Sequence, residues 1–191
     1  MNERADSSPG AAALRELVMP VVVVAASNGR ETACATSTTS YVSVQPPVLS
    51  VALTPASRTA RMVSETGQFS VSVLTVGQAE LAYRAGRPST EPDKLAAAGI
   101  APEYPPGESP AGPPGASPPG VSDASAVLWC RVTDTVVVGD HRVFFGQVIA
   151  FRGASGSAAG EAGAGLLLRH QRRYLGTGPA VTPAVADGYP I

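Results

Sequence analysis

The sequence predicts a mainly β protein, an antiparallel barrel with short helices packed on it. Runs rich in Val, Thr, Phe and Leu, each of strand length, recur along the 191 residues and give about six or seven short strands. Two junctions between such runs, Asn28-Gly29 and Gly139-Asp140, carry residue pairs suited to tight hairpin turns. Strands and helices do not alternate regularly, and no GxGxxG element follows a strand, which disfavours a doubly wound parallel sheet and a Rossmann dinucleotide site.

The elements follow in order. Residues 1–10 read as a disordered lead, with a short helix from Pro9 to Leu17 capped by Ser8. Met19 to Ala26, dense in valine, reads as a strand. The returning strand, Thr32 to Ser43, is built of hydroxyls, which suits a core strand poorly but makes sense if one face lines a polar ligand. Gln45-Pro46-Pro47 interrupts it, and Val48 to Thr54 resumes as strand. Ser57 is the cap of a helix running to about Glu65, stopped by Gly67. Gln68 to Leu74 sets Phe69, Val71 and Val73 against Ser70 and Ser72, a strand with one wet face. Gln78 to Ala85 is a second small helix, ending near Gly86. Gly99 to Gly120 is almost all Pro, Gly, Ala and Ser, with Tyr104 as the lone aromatic residue, and reads as a mobile loop. Strands return at Ala126 to Val138 and His141 to Arg152. After a Gly/Ala/Ser loop come the short runs Leu166 to Arg169 and Arg172 to Leu175, then an extended tail over 176–191. One domain over 11–175, with the Pro/Gly-rich loop 99–122 inside it, is the organisation expected.

Composition narrows the function. Hydrophobic residues make up 44% of the chain, enough for a core. Fourteen basic and 15 acidic side chains leave a net charge of −1, so no global field draws nucleic acid or an acidic membrane. The longest apolar run, Val18 to Ala26, is strand-length and far short of the roughly 20 residues of a spanning helix. Residues 1–10 carry no apolar signal-peptide core, so the expectation is a cytoplasmic protein. Cys34 and Cys130 show no CxxC or zinc spacing and are expected to be buried, inert thiols. With two scattered histidines no metal site is expected, and no nucleophile elbow points to a hydrolase.

Three pieces stand out together: the hydroxyl run Thr36-Ser37-Thr38-Thr39-Ser40 leading into Gln45-Pro46-Pro47, Ser57-Arg58-Thr59 at a helix start, and Gly139-Asp140-His141 opening a strand. Alone, Ser57-Arg58-Thr59 reads as an ordinary cap beside a solvated arginine. Joined to the upstream strand, its hydroxyls, guanidinium and free helix N–H groups read as a phosphate cradle. The order TSTTSYVSVQPPVLSVAL, SRT, GQFSVSVL, DKL, WCRV, GDHRVFFGQV resembles the flavin reductase-like family of FMN-binding split barrels, from about Leu14 to Tyr174.

That resemblance implies a Greek-key split β-barrel, mainly β with short flanking helices. It implies a homodimer that binds FMN (FAD being the variant) and takes NADH or NADPH as co-substrate. Such proteins are NAD(P)H:flavin oxidoreductases and commonly supply reduced flavin to a partner monooxygenase. By position, Thr36, Ser37, Thr38 and Thr39 would meet the isoalloxazine ring, and Ser57, Arg58 and Thr59 the phosphate. Lys94, the only lysine, would contact phosphate or ribityl, or simply be solvated at a helix end. His141 would lie near flavin and nicotinamide, orienting the nucleotide for hydride transfer, a demand of geometry more than of acid–base chemistry. Trp129 and Cys130 read as packing, and His170 with Arg169, Arg172 and Arg173 as a solvated basic face. The Pro/Gly stretch departs from the family pattern. It keeps open an FMN enzyme of the same fold acting on an organic small molecule in secondary metabolism, and a carrier that only stores FMN.

Overall fold

In the computed structural model, which describes residues 9–107, 117–153 and 165–177, the chain runs α1 (Pro9–Leu14), β1 (Met19–Pro20), β2 (Val22–Ser27), β3 (Thr32–Ser37), β4 (Thr39–Val44), β5 (Pro47–Leu53), α2 (Arg58–Thr66) and β6 (Gln68–Val73). A 3₁₀ turn at Val76–Gln78 leads into α3 (Ala79–Gly86), α4 (Lys94–Ala97), β7 (Pro102–Glu103), β8 (Gly120–Val121), β9 (Ala126–Val138), β10 (His141–Arg152), β11 (Leu167–His170) and β12 (Arg173–Gly176). The expected lead over 1–10 and tail over 176–191 fall mostly outside the described residues.

Seven strands form one antiparallel sheet in the order β3-β2-β6-β9-β10-β5-β4. Its two edges, β3 and β4, are consecutive in the chain with Thr38 alone between them, so the sheet must curl until the edges approach. At the seam, Ser37 Oγ donates to the Ala52 carbonyl of β5 at 2.8 Å. The result is the expected split barrel, with strands paired out of chain order (β2 with β6, β10 with β5) as in a Greek key. One expectation is corrected here. Thr32 to Ser43 is two strands, because β3 pairs with β2 while β4 pairs with β5 on the opposite edge. A three-stranded sheet, β1-β11-β12, and the β7–β8 pair complete the strands described.

The valine run of β2 is unbroken because both of its faces are covered. Val22, Val24 and Ala26 join Leu49, Val51, Phe69, Phe144 and the α2 residues Met62 and Val63 in the barrel interior. Their alternates Val21, Val23 and Ala25 pack outward with Leu74, Ala82, Leu95, Ile100 and Trp129, where α3 and α4 lie. Cys34 and Cys130 are buried, as expected, and burial pushes their thiols up to about 11 and about 12. Among the described residues no helix is long and apolar enough to cross a membrane.

Local chemistry sets the boundaries. Ser57 Oγ accepts from Ala60 N–H at 3.1 Å and starts α2; Gly67, at φ 68°, ends it in the left-handed region. Gly139 at φ 58° turns β9 into β10, pairing Val138 with His141. Beside a bulge in β10, Gly146 lies under the Phe69 ring, where a Cβ would sit 2.4 Å from Phe69 Cζ and 2.9 Å from Cys130 Cβ. Gly146→Ala is therefore expected to destabilise by about 1–3 kcal/mol through overpacking, lowering the midpoint of thermal unfolding by circular dichroism.

The described flanks of the Pro/Gly segment, 99–107 and 117–120, differ from their reading as part of a mobile loop. Its ends are fixed: Pro102 pairs with Val121 and Glu103 with Gly120. Trp129 Nε1 donates to the Pro118 carbonyl (2.9 Å), Ser70 Oγ to the Pro119 carbonyl (2.6 Å), and Ser72 Oγ accepts from Val121 N–H (3.0 Å). Composition counts side chains, whereas these contacts use the backbone, two of them carbonyls that proline retains. The serine face of β6, expected to be wet, is buried by this returning segment. Residues 108–116 lie outside the described residues.

Candidate flavin site

The N-terminus of α2, the middle of β3, the end of β5, the C-terminus of α3 and the start of α4 enclose one cleft of about 400 Å³. Thr36, Ser57, Arg58, Thr59, Lys94 and His141, all singled out in the sequence, line it together. Ser37, Thr38 and Thr39 do not. The Ser37 hydroxyl is taken by the Ala52 carbonyl, and Thr39 Oγ1 donates to the Ser50 carbonyl at 3.0 Å. Thr36 Oγ1 reaches the cleft but donates to the Ala82 carbonyl of α3. Much of the hydroxyl richness of this segment thus serves the seam of the barrel and the docking of α3. What β3 offers a flat ligand is its backbone, since it is an edge strand with one side unpaired by another strand of its sheet.

The lining of the cleft is also cationic. Arg58, Arg87 and Lys94 line it, and among the described residues no carboxylate does. Arg58 Nη2 donates to the Thr32 carbonyl at 2.8 Å, while its Nε is buried without a hydrogen-bond partner among the described residues. Lys94 is 8% exposed, and its Nζ donates to the Cys34 carbonyl. Burial holds the Lys94 ammonium below the ordinary lysine range, and the Arg58 charge pushes it the same way. The Ser57 oxygen accepts from the helix yet keeps its own proton to donate. A buried guanidinium N–H lacking an acceptor, the buried Lys94 ammonium and a helix N-terminus are a donor set for an anion, and the volume is of ligand size. The residues present fit the phosphorylated end of a flavin.

His141 stands at the rim. Its Nδ1 is 2.8 Å from Asp140 Oδ1, and this contact holds the Asp140 carboxyl below its usual range. Sequence reasoning missed the wall at the C-terminus of α3, Gly86 to Ser89. Arg87 there donates to the Tyr83 hydroxyl at 2.9 Å with its guanidinium 5.5 Å above the ring. The only signal was a basic residue directly after a helix-stopping glycine. A Cβ on Gly86 would meet Thr36 Oγ1 at 3.1 Å, so the glycine lets α3 approach β3 closely.

Comparison with known proteins supports the fold and gives the family. Nitrilotriacetate monooxygenase component B of Mycobacterium thermoresistibile superposes with a TM-score of 0.77 at 26% identity, covering 97% of this chain and 95% of that one. An uncharacterized protein of Aeropyrum pernix is 32% identical over 135 residues, 70% of this chain and 48% of its own length. A probable flavin reductase of Rhizobium meliloti is 29% identical over 147 residues, 76% of this chain and 43% of its own. The chain therefore spans less than half the length of these two curated relatives. Residues 14–178 match the model of the flavin reductase like domain, and the chain belongs to that family.

Proposed function

We propose that this chain is an NAD(P)H-dependent flavin reductase that binds FMN, or FAD, and supplies reduced flavin to a partner monooxygenase. The observation that carries the reading is the convergence of Ser57, Arg58, Thr59 and Lys94 with the β3 edge and His141 around one cleft. Family membership supports flavin as the ligand. The similarity to a monooxygenase component supports the partner.

In this reading Arg58, Lys94 and the α2 N-terminus hold the phosphate. The edge backbone of β3 faces the ring, and its short side chains let a plane come close. When bound, flavin accepts a hydride from the nicotinamide and carries the electrons onward. His141, held by Asp140 through Nδ1, orients the nucleotide at the rim, so its contribution is positional. The chain works as a homodimer: Tyr41 (76% exposed) and Val44 (79%) on β4, and Val137, Val138 and Phe151 on β9 and β10, are apolar surface that a second copy would cover.

The test is oxidation of NADH and NADPH by the purified chain with added FMN or FAD. Turnover that saturates in free flavin is the expected result. His141→Ala is expected to lower kcat/KM for the nucleotide by about 10- to 100-fold, with FMN affinity in a direct titration unchanged. Protein that takes up FMN but oxidises neither nucleotide would overturn the reading.

A further inference from the structure

We propose that Thr32, which does not line the cleft, is the positioning residue that sets Arg58 and Lys94, the two cations of the phosphate end, in register; the proposal rests on the flavin reading above. Thr32 opens β3 and makes four directed contacts. Its N–H donates to the Pro92 carbonyl at 2.9 Å, and its Oγ1 donates to Asp93 Oδ1 at 2.7 Å. The same oxygen accepts from Leu95 N–H at 3.2 Å, and the Thr32 carbonyl accepts from Arg58 Nη2 at 2.8 Å. One residue therefore grips Arg58 with its backbone and α4 with its side chain.

The grip matters because α4 cannot orient itself. It is a four-residue turn, too short to be stable as an isolated helix, capped by Asp93 accepting from Ala96 N–H at 3.1 Å. Lys94 is its first residue, and the Lys94 ammonium is fixed at its far end by the Cys34 carbonyl. Residues 32 and 34 are two apart on one strand, so their carbonyls point the same way and anchor the two cations side by side. The Thr32 hydroxyl, by donating to it, also holds the Asp93 carboxyl below its usual range. Removing that hydroxyl frees the turn that carries Lys94 and leaves the edge facing the flavin ring unaltered.

The experiment compares FMN with riboflavin, which has the same ring and no phosphate, by fluorescence titration of the full chain. Wild type is expected to prefer FMN. Thr32→Val, which keeps the shape and deletes the hydroxyl, should lose about ten-fold in FMN affinity, the size of one or two lost hydrogen bonds, with riboflavin changed less than two-fold. Thr32→Ser should restore the preference. Asp93→Ala attacks the same contact from the other side, should show the same selective loss, and serves if the valine variant does not fold. Equal loss for both ligands, or none, would overturn the proposal while leaving the flavin reading intact. Wild type that takes up both ligands equally removes the phosphate-end assignment and this proposal with it but leaves flavin binding standing; wild type that takes up neither removes the flavin reading as well.

Discussion

Replacing Arg58 by alanine is expected to weaken FMN binding by about 10- to 100-fold, the value of a hydrogen bond to a charged partner. Riboflavin binding should change less than two-fold. The guanidinium has one N–H on the Thr32 carbonyl and a buried Nε with no acceptor among the described residues. A phosphate supplies that acceptor in a charge-assisted geometry an arginine fork favours. Arg58→Lys keeps the charge without the fork and should fall between wild type and alanine. Titration of both ligands at two salt concentrations checks this. An equal fall for FMN and riboflavin would place Arg58 away from the phosphate.

Lys94→Met should cost a similar factor in FMN affinity at neutral pH, about 10- to 100-fold, and should also remove a pH dependence. Burial lowers the Lys94 pKa in the folded chain relative to the unfolded one. Between those two values the unfolded chain binds more protons, so the contribution of Lys94 to stability rises as pH climbs through the folded value and levels off near 10.5. Phosphate binding runs the other way, since it needs the charged form. In wild type, FMN affinity should therefore fall in the alkaline range before an ordinary lysine would titrate, while the ligand-free protein gains stability over the same range. The methionine variant should show neither trend. Dissociation constants and melting midpoints measured from pH 7 to pH 10 decide it; identical alkaline trends in both proteins would remove Lys94 from the site.

The barrel was legible because its strands repeat a simple alternation and its turns carry Asn-Gly and Gly-Asp. The cap at Ser57 and the stop at Gly67 were legible because each solves a local problem visible in sequence. The break at Thr38 was not, since nothing local distinguishes a strand that continues from one that crosses between edges. α4 was missed because one turn has no period to read, although Asp93 before Lys94-Leu95 was a usable cap signal. At the site, Arg58, Lys94 and His141 were found because each sits in a motif of the family order, whereas Arg87 belongs to none and was missed. The hydroxyls of Ser37 and Thr39 were placed on the ligand because sequence gives no view of the carbonyls across the seam that accept them.

The anchored ends of the Pro/Gly segment have a consequence for how this scaffold tolerates change. Arg152 grips Glu103 at 2.6 and 2.8 Å and the carbonyls of Ser122 and Ala124 at 3.0 and 2.9 Å, clasping the base where the chain departs and comes back. With exit and re-entry fastened, doubling the span between them adds only about 0.6 kcal/mol of closure entropy. That makes the segment a natural splice point: a tag, a reporter peptide or a docking sequence grafted there would join the barrel through two fastened ends.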